Sequence, residues 1–285
     1  VLRQSTKRKP QYFLAGNTAH LLIELYVKGV VDDLSDVMEA TAKCFLFASN
    51  EDDYDCTPDD RDNIVNRCSE FFVNFRRWWR SSGFTPLAVE AEIRHPSIGG
   101  SPEIAGKIDL LAERNGEFYA LDWKTHGMWG KSISVPKVNM ARELQPSLYA
   151  MMIKNGTFHM GGGVGRLDSN EEASMKTSEV KLGITPDHIG FVEVAYLTKY
   201  IRGSKDGSKK AGDLRGDPLF TTPFTEAKEE HAIEVIKYIT MCIENDSFPR
   251  FAGRQCDTCE FNKACWSDDI VQYDLPKFAR RFVDE

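Results

Sequence analysis

A chain of 285 residues has room for one large domain or two small ones. Hydrophobic side chains make up 41% and aromatic ones 11%, which excludes a disordered chain and allows a sizeable core. The 36 basic and 43 acidic side chains give a formal net charge of -7, which excludes a globally basic nucleic-acid coat protein. An enzyme acting on nucleic acid remains open, because metal-binding carboxylates are acidic and a basic groove can be local.

Residues 14–29 are predicted helical, with Leu14, Ala19, Leu21, Leu22, Leu25 and Val27 broadly on one side. A second helix is expected over residues 35–48. Thr57-Pro58-Asp59-Asp60 supplies a cap, a proline at the first helical position and early acids, so it should start a long helix ending near Ser81-Ser82-Gly83. The period then changes. Leu87 to Ile93 alternates like a strand, Gly99-Gly100-Ser101-Pro102 makes a turn, and Ile104 to Ala112 and Phe118 to Trp123 are further strands. Arg114-Asn115-Gly116 joins the last two as a hairpin, so these three strands are antiparallel in type. Helix returns over residues 137–155, and 156–188 reads as an irregular insertion. A fourth strand is predicted from Ile189 to Leu197, a loop over 202–217 and a helix over 225–244. No repeat is visible, and no apolar run approaches the ~18 residues of a membrane span. The polar, basic start Val1 to Lys9 shows no secretory signal, so a cytoplasmic location is expected, or the host cytoplasm if a phage encodes the chain. The expectation is one α/β domain over residues 1–285: a helical part (1–84), a core (85–200) and a C-terminal part (201–285) with a helix and a cysteine motif.

The chemistry concentrates on two strands. One carries Gly106-Lys107-Ile108-Asp109 and the next carries Asp122-Trp123-Lys124. Asp122 and Lys124, two apart on a strand, project from one face, and hairpin pairing brings Asp109 within reach of the same place. Two carboxylates and an amine beside apolar strand residues are costly to bury unpaired. A divalent cation held by Asp109 and Asp122 would offset that cost, and Mg²⁺ or Mn²⁺ prefers such oxygen ligands. The ion would acidify a water and polarise a phosphate, while Lys124 orients the water or stabilises developing charge. A cross-strand salt bridge is the plainer alternative. Glu90 and Glu92, read as facing opposite ways on the first strand, offer one further carboxylate.

With Gly-x-x-Asp, a hairpin and Asp-x-Lys in this order, the sequence resembles the PD-(D/E)xK nuclease superfamily, and within it the RecB-like exonucleases. Ile108 stands where the proline of the family's name would be. Gly16-Asn17-Thr18-Ala19-His20 looks like that family's Gly-x-x-x-His helix, and Gln145-Pro146-Ser147-Leu148-Tyr149 like its Gln-x-x-x-Tyr motif. The resemblance implies a restriction-endonuclease-like fold, a central mixed sheet flanked by helices. It implies His20, Asp109 and Asp122 as metal ligands, Asp109, Asp122 and Lys124 as catalytic residues, and Gln145 and Tyr149 as their support at the active site and DNA. The expected activity is metal-dependent exonuclease cleavage of single-stranded DNA or duplex ends. Recombination, repair, phage DNA processing and CRISPR adaptation are the settings it implies, with a helicase or an integration protein as partner. A catalytically silent nucleic-acid-binding subunit is the alternative, against which the intact Asp109, Asp122 and Lys124 argue.

Of seven cysteines, Cys44, Cys56, Cys68 and Cys242 are scattered and read as small apolar residues. Cys256-x-x-Cys259-x5-Cys265, followed by Trp266, is compatible with zinc, redox chemistry or no metal. After Phe248-Pro249 this spacing resembles the iron–sulfur branch of the RecB-like nucleases, including AddB-type subunits and CRISPR adaptation nucleases. The resemblance implies a structural [4Fe–4S] cluster on Cys256, Cys259 and Cys265. The sequence departs from that pattern where a fourth cysteine should precede His20, since Lys9-Pro10-Gln11-Tyr12-Phe13 has lysine in its place. The missing ligand lies before Val1, or is one of the four scattered cysteines, or the cluster has been lost.

Two basic stretches are candidate nucleic-acid contacts. Arg76-Arg77-Trp78-Trp79-Arg80 is read slightly in favour of core tryptophans and solvated arginines. Lys199, Arg202, Lys205, Lys209 and Lys210 suggest a loop that reaches a phosphate backbone. Gly130-Lys131-Ser132 lacks the upstream glycine of a nucleotide-binding loop, and ATP binding is rejected.

Overall fold

The computed structural model describes residues 9–33, 35–51, 54–124, 144–160, 178–193 and 217–245. Three helices, α1 (Gln11–Val27), α2 (Val37–Glu51) and α3 (Pro58–Ser82), precede the main sheet. Two short strands, β1 (Lys9–Pro10) and β2 (Tyr54–Asp55), pair in parallel and tie the start of α1 to the segment before α3. The predicted signals at α3 are realised. Thr57 caps it in a reciprocal capping box with Asp60, and Gly83 closes it with a left-handed φ of 72°.

The main sheet is built from β3 (Thr85–His95), β4 (Ile104–Arg114), β5 (Glu117–Lys124), β6 (Thr157–Met160), β7 (Ser178–Val180), β8 (His188–Glu193) and β9 (Leu219–Pro223). Among the described residues it has seven strands in the order β7-β6-β3-β4-β5-β8-β9. The β5–β8 pair is parallel and the others are antiparallel. The β4–β5 hairpin turns on Asn115 and Gly116, whose φ values of 56° and 83° suit the twist of two joined strands. Helix α4 (Leu144–Asn155) follows β5 in the described chain, and α5 (Glu226–Glu244) follows β9.

Two cores lie on the two faces of the sheet. On one, Leu110, Ala112, Tyr119, Leu121, Trp123 and Val192 meet Leu14, Leu22, Phe71, Phe72 and Phe75 of the N-terminal helices. On the other, Ala91, Ile93, Ile108, Leu111, Ala120 and Ile189 meet α4 and α5 through Met151, Met152, Ile153, Ala232 and Ile236. Helices on both faces explain why β5 reads Tyr-Ala-Leu-Asp-Trp without polar alternation: nearly every position is covered.

Sequence periodicity misjudged some segments. The stretch 156–188, expected to be irregular, contributes β6 and, at the edge of the sheet, β7, each too short for alternation to register. Strand β9 falls just after the expected loop. It packs so closely on β8 that a Cβ at Gly190 would lie 2.0 Å from the Phe220 carbonyl oxygen, and only glycine fits. The predicted helix 137–155 is described from Leu144 and the predicted strand 189–197 as far as Glu193. Residues 194–216, with the basic loop, and 246–285, with Cys256, Cys259 and Cys265, lie outside the described residues.

Candidate metal centre and active site

Pairing between β4 and β5 runs from the hairpin turn to Leu110 opposite Leu121 and there stops. Beyond that point the strands part. The next residue of β4 toward its start, Asp109, turns its carboxylate into the gap, where Oδ2 accepts the Trp123 backbone N–H at 2.7 Å. A side chain thus takes the place of a ladder carbonyl, and Asp109 lies beside Asp122 and Lys124 at the C-terminal end of β5. Lys124 donates from Nζ to Asp122 Oδ2 at 2.7 Å and to Gln145 Oε1 at 3.3 Å. Gln145 donates in turn to the Tyr149 hydroxyl at 3.1 Å, one turn along α4.

The glycine of Gly-x-x-Asp has a physical reason in the same place. A Cβ on Gly106 would stand 3.2 Å from Tyr149 Cε1 and 3.5 Å from Met152 Cε. Two motifs 39 positions apart in the chain are therefore two sides of one close contact between β4 and α4.

His20 comes from α1, at the border of the face that buries Leu14, Ala19, Leu22 and Ile23. The ring keeps 30% of its side-chain surface exposed, and its Nδ1 lies 3.5 Å from Glu90 Oε1 and 3.7 Å from Asp109 Oδ2. Ligand atoms of His20, Glu90 and Asp109 all fall within 4.8 Å of one another. The structure thus brings together His20, Asp109, Asp122, Lys124, Gln145 and Tyr149, and it adds Glu90.

Glu90 and Glu92 do part, although strand alternation is not the reason. Two apart on a regular strand they would share a face. Glu90 instead has a φ of 49°, a left-handed conformation rare for a residue with a side chain, and alternation is broken there. The Glu90 side chain is only 5% exposed and meets His20 and Lys107, whose Nζ is 2.7 Å from Oε2. Glu92 is 47% exposed and pairs with Arg94.

Charges shift one another strongly here. Burial disfavours a charged imidazole, but Glu90, Asp109 and Asp122 outweigh it and raise the His20 pKa to about 9. Burial pushes Asp109 up to about 7; the His20 charge and the Trp123 N–H oppose this, while Asp122 and Glu90 add to it. Glu90 goes the other way, since His20 and Lys107 overcome its burial and hold it below the ordinary carboxylate value.

No motif singles out Glu193 in the sequence. It is fully buried at the end of β8, in register with Lys124 on the adjoining parallel strand. A carboxylate closing the apolar run Ile189 to Val192 was the available signal. The Arg76–Arg80 stretch is settled as packing. Trp78 and Trp79 join Phe75, Phe84 and Trp123 in an aromatic cluster, Arg76 holds the Asp32 and Asp33 carbonyls, and Arg80 pairs with Asp33.

A mixed sheet between helical layers, with acidic groups gathered where its central hairpin opens, is the restriction-endonuclease-like fold that the motifs implied. The chain belongs to the PD-(D/E)XK nuclease superfamily, whose family model matches residues 2–266. It is a nuclease of the metal-dependent kind. No curated protein matches it, and among the described residues no helix is long and apolar enough to cross a membrane.

Proposed function

We propose that the chain is a RecB-like DNA exonuclease that acts on single strands or duplex ends, with His20, Asp109 and Asp122 as metal ligands and Glu90 as a further one. One observation carries the metal: Glu90 Oε1 is buried with no hydrogen-bond donor, beside His20 Nδ1 and among ligand atoms no more than 4.8 Å apart. A hard divalent cation suits this oxygen-rich set, and an imidazole among the ligands favours Mn²⁺ over Mg²⁺.

When bound, the ion supplies Lewis acidity at the scissile phosphate and lowers the pKa of the attacking water. Lys124 has its ammonium fixed between Asp122 and Gln145, where it can stabilise charge that grows on the phosphate as the P–O bond breaks. Gln145 orients Lys124, and Tyr149 orients Gln145. Asp109 remains fixed by the Trp123 N–H.

We further propose a structural [4Fe–4S] cluster on Cys256, Cys259 and Cys265, on the strength of their spacing. Cys56 is the best-placed fourth ligand among the described cysteines. It follows β2, which pairs with Lys9–Pro10, the place where the resembling branch has its upstream cysteine. Cys44, Cys68 and Cys242 are buried, and burial raises the thiol pKa of Cys44 to about 12. A helicase or integration partner and a cytoplasmic setting complete the reading.

The test is digestion of end-labelled single-stranded DNA with Mn²⁺ against EDTA. Metal-dependent release of nucleotides from an end supports the reading; DNA binding without cleavage at any metal concentration would make the chain a silent subunit. Brown colour and stoichiometric iron after anaerobic purification support the cluster, and stoichiometric zinc replaces it.

A further inference from the structure

Lys107 lies between the glycine and the aspartate of Gly-x-x-Asp and is the ammonium partner of Glu90. Its side chain is 59% exposed, against 5% for Glu90, and its Nζ sits 2.7 Å from Glu90 Oε2. It approaches the carboxylates from the β3 side, whereas Lys124 approaches from β5 and α4. Two ammonium groups therefore flank the candidate metal ligands across the width of β4. A lysine ammonium is a cation at neutral pH.

We propose that Lys107 binds a backbone phosphate of the nucleic-acid substrate beside the one that is cleaved; this rests on the nuclease reading above. The ion pair with the buried Glu90 occupies one face of the ammonium, and on a side chain 59% exposed the remaining N–H donors point outward, where a phosphate can take them. Glu90 is also the carboxylate with an oxygen turned to His20, so a cation taken up there competes with Lys107 for the same group. Loading the centre weakens the hold on the ammonium and leaves it to the nearest anion, a phosphate of the strand that crosses the site. Before loading, the Glu90 partner keeps Lys107 at the rim in an orientation that faces the ligands.

The test uses the full chain as wild type, Lys107→Ala and Lys107→Arg. Mn²⁺ binding is measured by calorimetry without DNA, and binding of a labelled single-stranded oligonucleotide by anisotropy in Ca²⁺ over a series of KCl concentrations. Lys107→Ala should bind Mn²⁺ about threefold more tightly, because a repelling charge beside the ligands is gone. It should bind the oligonucleotide roughly fivefold less tightly. Its plot of log K against log salt should be shallower by ~0.7, the share of one phosphate contact on a single strand. Lys107→Arg should restore the slope. Opposite signs for metal and DNA are what a mere loss of structure would not produce. An unchanged DNA slope overturns the proposal, and so does a parallel loss of Mn²⁺ and DNA affinity, which would make Lys107 an organiser of the carboxylates only. A wild type that shows the Lys107-dependent slope yet never cleaves would instead sink the nuclease reading and leave the phosphate contact standing.

Discussion

Lys124 and His20 make different demands on experiment, although both lie within reach of the same carboxylates. Removing the lysine as Lys124→Ala leaves the proposed ligands His20, Glu90 and Asp109 in place and takes from Asp122, the fourth, only its ammonium partner. Mn²⁺ binding should persist while turnover falls by ~10²-fold or more, as happens when a preorganised charge is withdrawn from a developing one. Single-turnover cleavage with a parallel Mn²⁺ titration measures both; equal loss of the two would return Lys124 to the role of a salt-bridge partner for Asp122. His20 sets the pH dependence. With its pKa raised to about 9, the ring carries a proton at neutral pH until a cation displaces it. Only the neutral ring binds metal, so uptake releases that proton, and affinity rises with pH up to about 9. The expected slope is up to ~1 in log K per pH unit, with the carboxyl of Asp109 adding to it below about 7. Calorimetry in buffers of different ionisation enthalpy counts the protons. A flat affinity between pH 6 and 9 would exclude His20 as a ligand.

At the scale of elements, the decisive contact is the one between β4 and α4. Gly106→Ala would press a methyl group on Tyr149 at 3.2 Å and on Met152 at 3.5 Å. Overfilling of this kind costs ~1–3 kcal/mol, and here it also levers Tyr149 from Gln145 and Gln145 from Lys124. We therefore expect Gly106→Ala to lower kcat well beyond what its thermal destabilisation accounts for at the assay temperature. Comparing kcat with Tm for this variant checks it, and full activity in a protein of lower Tm would show that α4 serves packing alone. How legible such features are in a sequence depends on the residues involved. The Thr57–Asp60 cap, the Asn115–Gly116 turn and the buried run of β5 each follow from local chemistry, and each was predicted at its place. Strands β6, β7 and β9 were not, because they are strands of three to five residues at or next to the edges of the sheet, whose existence depends on neighbours far along the chain. Within the site, Asp109, Asp122 and Lys124 were visible because two strands carry them at fixed spacing, and His20, Gln145 and Tyr149 because motifs mark them. Glu90 was visible only as one of a pair with Glu92, and nothing in the sequence chose between them, since the left-handed backbone that turns Glu90 inward leaves no trace in composition. Glu193 was hidden because a glutamate after an apolar run looks like the end of a strand.

Taken whole, the molecule keeps its aromatic mass on one side and its lever on the other. The N-terminal helices bring Phe75 and Trp79 against Trp123, which anchors the strand of Asp122 and Lys124 from behind. The opposite layer, α4, reaches the same strand through Gln145. If the C-terminal cysteines hold a cluster with Cys56, they close a loop of most of the chain and tie it to the start of α1 through β1 and β2. A crosslink over so long a loop removes unfolded-chain entropy worth several kcal/mol, on the order of 4–5. Cys259→Ser should then lose iron and colour together with a matching share of stability, while its folded fraction still cleaves DNA. Denaturation with iron analysis decides it: a variant as stable as wild type, with no iron in either, would leave these thiols without a structural role.

The gap between β4 and β5 gives the protein an uneven tolerance of inactivation. Asp109 supplies the acceptor for a buried peptide N–H, so a lineage that discarded it for alanine would lose a sheet contact along with its chemistry. The Lys124 ammonium meets the side chains of Asp122 and Gln145 instead. A descendant that gave up cleavage and lived on as a binding subunit would therefore be expected to drop the lysine first and to keep an aspartate or asparagine at 109 long after the reaction had gone.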